Sequence, residues 1–146
     1  MGLFDKILGG SASAALSKPE AFAGVMLAAV AADGHISDEE SAGFNATIER
    51  LRIFQAQSGG EHRAMMDKLF GILKRNGASQ LLAQSARALP RELRQAAFAV
   101  VTDLIFADGS VEDEEKALLE QMQAALEIPE ELAMQIVQVM GIKNAG

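Results

Sequence analysis

The chain has 146 residues, of which 49% are hydrophobic, and it carries a formal charge of −7. It contains no cysteine, which excludes disulfides, thiol catalysis and cysteine-ligated zinc and makes the cytoplasm the expected compartment. Acidic residues outnumber basic ones by 20 to 13, so nucleic-acid binding is not expected, whereas cations and basic partner surfaces suit such a charge.

The first predicted element is an N-terminal arm, residues 1–18. Within it Leu3, Phe4, Ile7 and Leu8 stand at helical spacing before Gly9-Gly10. The arm could lie on a membrane surface, but we prefer the interpretation that it packs on the rest of the protein or frays. An acid stands early in the arm, unlike a signal peptide, and no apolar run approaches the ~20 residues that a membrane span needs.

The remaining residues, 19–146, form one predicted domain, an all-α bundle of about seven helices. No stretch alternates between apolar and polar residues as a strand does. Proline and glycine divide the domain into helical segments at about 19–33, 37–54, 61–76, 79–89, 90–107, 112–126 and 129 onwards, with Ser58-Gly59-Gly60 read as a loop. Residues 22–30 and 96–105 are apolar on nearly every side, which predicts helices in the middle of the bundle.

An internal repeat becomes visible when residues 21–53 are set over residues 96–128, an offset of 75 with no gaps. Ala32-Asp33-Gly34 then matches Ala107-Asp108-Gly109. The acidic run Asp38-Glu39-Glu40 matches Asp113-Glu114-Glu115 in the same register. The sequence therefore predicts a duplicated unit that consists of a buried helix, an Asp-Gly turn and a second helix with an acidic first turn.

The repeated turn resembles the second half of a calcium-binding EF-hand loop. In both copies an Asp-Gly pair is followed by a branched residue and then by a glutamate, which suits a hard cation such as calcium. The first half of such a loop is missing, because Ala29 and Leu104 occupy its first ligand position, so a standard EF-hand is excluded. The candidate cation ligands are Asp33, Glu40, Asp108 and Glu115. The alternative is that these acids only stabilise the starts of helices.

Asp103 is a further candidate ligand, since it is a single acid in an otherwise apolar helix. Such an acid needs a partner, a cation or a position at the surface. Its counterpart in the first copy is Ala28. No residue pattern predicts an enzyme, because there is no nucleophile turn and no glycine-rich phosphate loop.

These motifs resemble the TerB family of bacterial tellurite-resistance proteins. The resemblance rests on residues 31–40, their echo at 106–115, the opening residues 3–7 and residues 51–54. It implies a duplicated bundle of about seven helices in which Asp33, Glu40, Asp108 and Glu115 form a cation site. It also implies a non-enzymatic role in stress responses, carried out with other Ter proteins near the inner face of the membrane. The alternative function is a purely structural interaction domain whose acids cap helices.

Overall fold

The computed structural model describes residues 16–32, 38–107 and 111–146, and within them it contains six α-helices and no strand. In chain order these are α1 (Lys18–Val30), α2 (Asp38–Arg50), α3 (Gly59–Ala88), α4 (Arg91–Phe106), α5 (Asp113–Ala125) and α6 (Glu130–Lys143). A 3-10 turn, Arg52–Phe54, joins α2 to α3. The all-α prediction is confirmed for this part of the chain. The internal duplication stays a prediction, because both Asp-Gly turns lie outside the described residues.

Helix α1 forms the centre of the core, as its apolar sequence predicts. Ser17 starts it with a capping box: Ser17 Oγ accepts from the Glu20 N–H at 3.2 Å, and Glu20 Oε1 accepts from the Ser17 N–H at 2.9 Å. Every residue from 21 to 29 is buried. The helix packs mainly along α3 and also against α4 and α2, so neighbours cover it on all sides.

Helix α4 is the second helix that was predicted for the middle of the bundle, and it is less enclosed than α1. Its buried face carries Ala97, Phe98, Val101, Thr102 and Ile105. The opposite face is only half-buried, including apolar Val100 and Leu104. None of the residues 96–105 is exposed, so α4 lies inside the bundle as predicted, although α6, α5 and α1 cover it less completely than α1 is covered.

Helix α3 covers the two helices predicted at 61–76 and 79–89, so the described residues contain six helices, one of them interrupted at Gly77, where about seven were expected. Gly77 has φ 88° and ψ 167°, which kinks α3 at the Asn76-Gly77 pair that was predicted to end a helix. The predicted loop at 58–60 is also wrong. Ser58 is instead the N-cap of α3, because its Oγ accepts from the Glu61 N–H at 3.1 Å while Glu61 Oε1 accepts from the Ser58 N–H at 3.0 Å.

Candidate functional site

The first acidic turn lies at the start of α2. Asp38, Glu39 and Glu40 occupy the first turn of this helix, and all three are exposed. Negative charge at this end is favourable because it faces the positive end of the helix dipole. Asp33, the other predicted ligand of this copy, lies outside the described residues.

The second acidic turn lies at the start of α5, where Glu112 is the N-cap. Glu115 is half-buried, and its Oε1 accepts a hydrogen bond of 2.9 Å from the Glu112 N–H. One oxygen of Glu115 therefore acts in helix capping. Asp113 forms an ion pair with Lys116 at 3.7 Å, but both side chains are exposed, so the pair contributes little to stability. Asp108, like Asp33, falls outside the described part of the chain.

The two acidic helices pack mainly against helices that precede them in the chain, α2 against α1 and α5 against α4 and α3, and each also approaches one further helix. A Cβ placed on Gly43 of α2 would lie 3.8 Å from Leu104 Cδ2, near the C-terminal end of α4. In the other half Leu118 of α5 lines a small cleft together with Ala28, near the C-terminal end of α1. The 75-residue offset takes Gly43 to Leu118, so the same position of the predicted repeat approaches a further helix in both cases. The residues approached, Leu104 and Ala28, are not equivalent under this offset.

Asp103 is held by the C-terminal end of α6. Its Oδ1 accepts hydrogen bonds from Asn144 Nδ2 at 2.8 Å and from Lys143 Nζ at 3.1 Å. Partial burial raises the pKa of Asp103, but these bonds and the charges of Lys143 and Arg50 outweigh it, so the pKa lies below its usual value. The partner that a single acid in an apolar helix requires is therefore supplied by α6.

The structure places three of the five predicted ligands, namely Glu40, Glu115 and Asp103. Among residues 16–32, 38–107 and 111–146, no three side chains of histidine, aspartate or glutamate are grouped closely enough to hold a metal ion. Sequence reasoning did not find Lys143 and Asn144, which stand about 40 positions from Asp103 and carry no local signal of the contact.

A groove with both apolar and polar lining residues lies between α1, α2 and α3, and we call it the α1–α2–α3 groove. It is partly open to solvent and has a volume of about 190 Å³. Leu27 and Phe44 are buried at its base, while Met66 and Phe70 of α3 form one wall and Ser41 belongs to the other. Phe70 is 44% exposed, and the other exposed large apolar side chains among the described residues all lie on α6. Met66 lines the groove, whereas its neighbour in sequence, Met65, is buried in the core.

The described residues form an all-α bundle in which α2 and α5 each begin with three acidic residues, and this fold and site define the class of protein. The family model described as "Tellurite resistance protein TerB" matches residues 19–138, so the chain belongs to the TerB family. The predicted resemblance is confirmed. No curated protein and no solved structure matches the chain. None of the described helices has the length and apolar character that crossing a membrane requires.

Proposed function

We propose that the protein is a non-enzymatic stress-response module of the tellurite-resistance type, whose acidic helix starts bind a divalent cation and engage protein partners. Membership of the TerB family supports the stress-response class. The cation is calcium, because carboxylate oxygens suit a hard ion and the chain has no thiolate for a soft one. The partners are other Ter proteins at the inner, cytoplasmic face of the membrane, as the family resemblance implies.

The approach of α2 to α4 and of α5 to α1 carries this proposal. Gly43 of α2 lies near Leu104 of α4, and Leu118 of α5 lines a cleft together with Ala28 of α1. Asp33 and Asp108 follow the ends of α1 and α4 directly in the chain. This arrangement supports a site that takes Asp33 and Glu40 from one copy and Asp108 and Glu115 from the other. Asp103 is not needed in it, since α6 already engages its carboxylate.

One observation favours the second candidate function, a structural interaction domain whose acids serve only as helix caps. Glu115 Oε1 already accepts the Glu112 N–H. The same arrangement occurs at α3, where Glu61 accepts the Ser58 N–H, although Glu61 lies outside the repeat. Capping alone therefore explains a glutamate at this helical position, and an experiment must separate capping from cation binding.

Thermal unfolding with calcium and with magnesium as a competitor tests the cation site. Calcium should raise the Tm of the unmodified protein, because a ligand at 100 times its Kd stabilises the folded state by about 2.7 kcal/mol. Glu115→Gln should remove this rise. Glu61→Gln is the matched control, since Glu61 holds the same position in a capping box and glutamine supports such a box. A Tm that calcium does not change in the unmodified protein would exclude the cation site and leave the capping function.

A further inference from the structure

The α1–α2–α3 groove can receive one large apolar side chain. A cavity of about 150 Å³ is sufficient to bind benzene. The groove, which is partly open to solvent, has a volume of about 190 Å³, and its wall contains Met66, whose flexible side chain adapts its shape to an occupant. Phe70 stands exposed at its edge. These properties are those of a docking site for an amphipathic segment.

The two sides of the groove carry different charge. On α2, the exposed acids Asp38 and Glu49 share a helical stripe with the groove residues Ser41 and Asn45. On α3, the exposed residues nearest to Phe70 by helical spacing are Arg63, Asp67 and Lys74, two bases and one acid. A segment that fits both sides has an apolar stripe with a base on one flank and an acid on the other.

The N-terminal arm has this pattern. We propose that residues 3–8, which lie outside the described part of the chain, dock into the α1–α2–α3 groove of the same molecule. At helical spacing Leu3, Phe4, Ile7 and Leu8 form one apolar stripe, with Asp5 and Lys6 on its opposite flanks. In one orientation Lys6 faces the acids of α2 and Asp5 faces the bases of α3. The ring of Phe4 fills the cavity.

The length of the chain permits this contact. The described structure begins at Leu16, which is buried at the start of α1. Leu27 in the groove lies about 16 Å farther along α1, at about 1.5 Å per helical residue. Residues 9–15 form the connection Gly-Gly-Ser-Ala-Ser-Ala-Ala, which spans roughly 23 Å when extended at about 3.3 Å per residue. This Gly/Ser/Ala connection therefore allows the arm to reach its own groove.

Charge argues against a second copy of the chain as the occupant. Two copies that each carry a charge of −7 repel, whereas the arm brings one acid and one base and adds no net side-chain charge. The docked arm covers Met66 and Phe70 in the same molecule. The proposal does not depend on cation binding at the acidic turns.

Thiol labelling tests the contact in the full chain. Because the protein has no cysteine, Ser41→Cys introduces a single thiol in the wall of the groove. The rate of maleimide labelling at this thiol is compared with the native arm and with an arm that carries Phe4→Asp and Ile7→Asp. The altered arm should raise the rate about tenfold, as expected if the native arm is docked in about nine molecules of ten. Met134→Cys on α6 is the control, since Met134 is 57% exposed and does not line the groove.

The expected result is an arm-dependent rate at position 41, no arm dependence at position 134, and no change with protein concentration. Equal rates at position 41 with both arms would overturn the proposal. Protection that increases with protein concentration would also overturn it, because the arm would then come from a second copy. A third contrary result is an arm that leaves position 41 unprotected but carries the chain to vesicles of phosphatidylcholine and phosphatidylglycerol in a flotation assay.

Discussion

Asp103 of α4 accepts a hydrogen bond of 2.8 Å from Asn144, the residue that caps the C-terminal end of α6. Lys143 lies 3.1 Å from the same carboxylate oxygen, so the contact is also an ion pair. Asn144 Nδ2 further donates to the Met140 carbonyl at 2.9 Å, which holds its amide in place. This cluster fastens the last helix to α4 at a point where α4 is only half-buried.

The contact predicts a pH-dependent effect of Asp103→Asn on stability. Because the pKa of Asp103 is lowered in the folded state, its stabilising effect is present above the unfolded pKa of about 3.9 and is lost as the pH falls through the folded value. We expect the variant to lose about 1 kcal/mol of unfolding free energy at pH 7. The difference in unfolding free energy between the variant and the unmodified protein should disappear when the pH lies below the folded-state pKa, where Asp103 is protonated. Urea unfolding at several pH values measures it, with exposed Glu120→Gln as the control.

A second prediction concerns the crossing of α1 and α3 at Gly24. A Cβ on Gly24 would overlap Ser85 Oγ, so Gly24→Ala should destabilise the protein by about 1–3 kcal/mol. Ser85 is fully buried, and its hydroxyl has no hydrogen-bond partner among the described residues, so Ser85→Ala should be neutral or stabilising. The double variant should recover part of the loss. Gly43→Ala is the control, because its Cβ would meet only an ordinary contact at 3.8 Å. Equal stabilities for the Gly24 and Gly43 variants would contradict the close crossing.

A third prediction concerns the kink in α3. The positive φ of Gly77 is one that other residues adopt only at a cost, so Gly77→Ala should destabilise the protein by about 1 kcal/mol or more. Gly141 lies inside α6, and nothing stands within 4 Å of the position its Cβ would take. Gly141→Ala should therefore stabilise α6 by up to about 1 kcal/mol. Chemical denaturation of both variants measures the two changes in unfolding free energy, which should have opposite signs. A Gly77→Ala variant that is more stable than the unmodified protein would show that α3 does not need the kink at this position.

A fourth prediction concerns Glu115 as a cap in the absence of calcium. Glu115→Ala removes the acceptor for the Glu112 N–H and should lower the unfolding free energy by about 1 kcal/mol. Glu115→Gln should cost less, because an amide oxygen can accept the same bond. The pair is compared by thermal unfolding in a chelating buffer. If alanine and glutamine cost the same, the hydrogen bond at the start of α5 contributes nothing measurable.

Residues at the helix ends predicted several helix boundaries correctly. Pro90 and Pro129 were predicted to start helices, and they are the N-caps of α4 and α6. Ser58 and Glu61 form a Ser-x-x-Glu capping signature, but the Gly59-Gly60 pair led to the prediction of a loop. The capping box satisfies free backbone N–H groups at the start of α3. This stabilisation does not depend on the low helix propensity of the two glycines.

The sequence by itself determined that the described residues are all-α, that residues 22–30 and 96–105 lie in the middle of the bundle and that acidic runs head α2 and α5. These features depend on residue spacing and on the chemistry of helix ends, which operate within a few neighbouring residues. Only the tertiary structure decided that Asn144 and Lys143 satisfy Asp103, that Ser85 lies against Gly24, and that Met66 and Phe70 border a groove. Such contacts depend on where helices distant in sequence cross, and the crossing follows from how all their surfaces pack together.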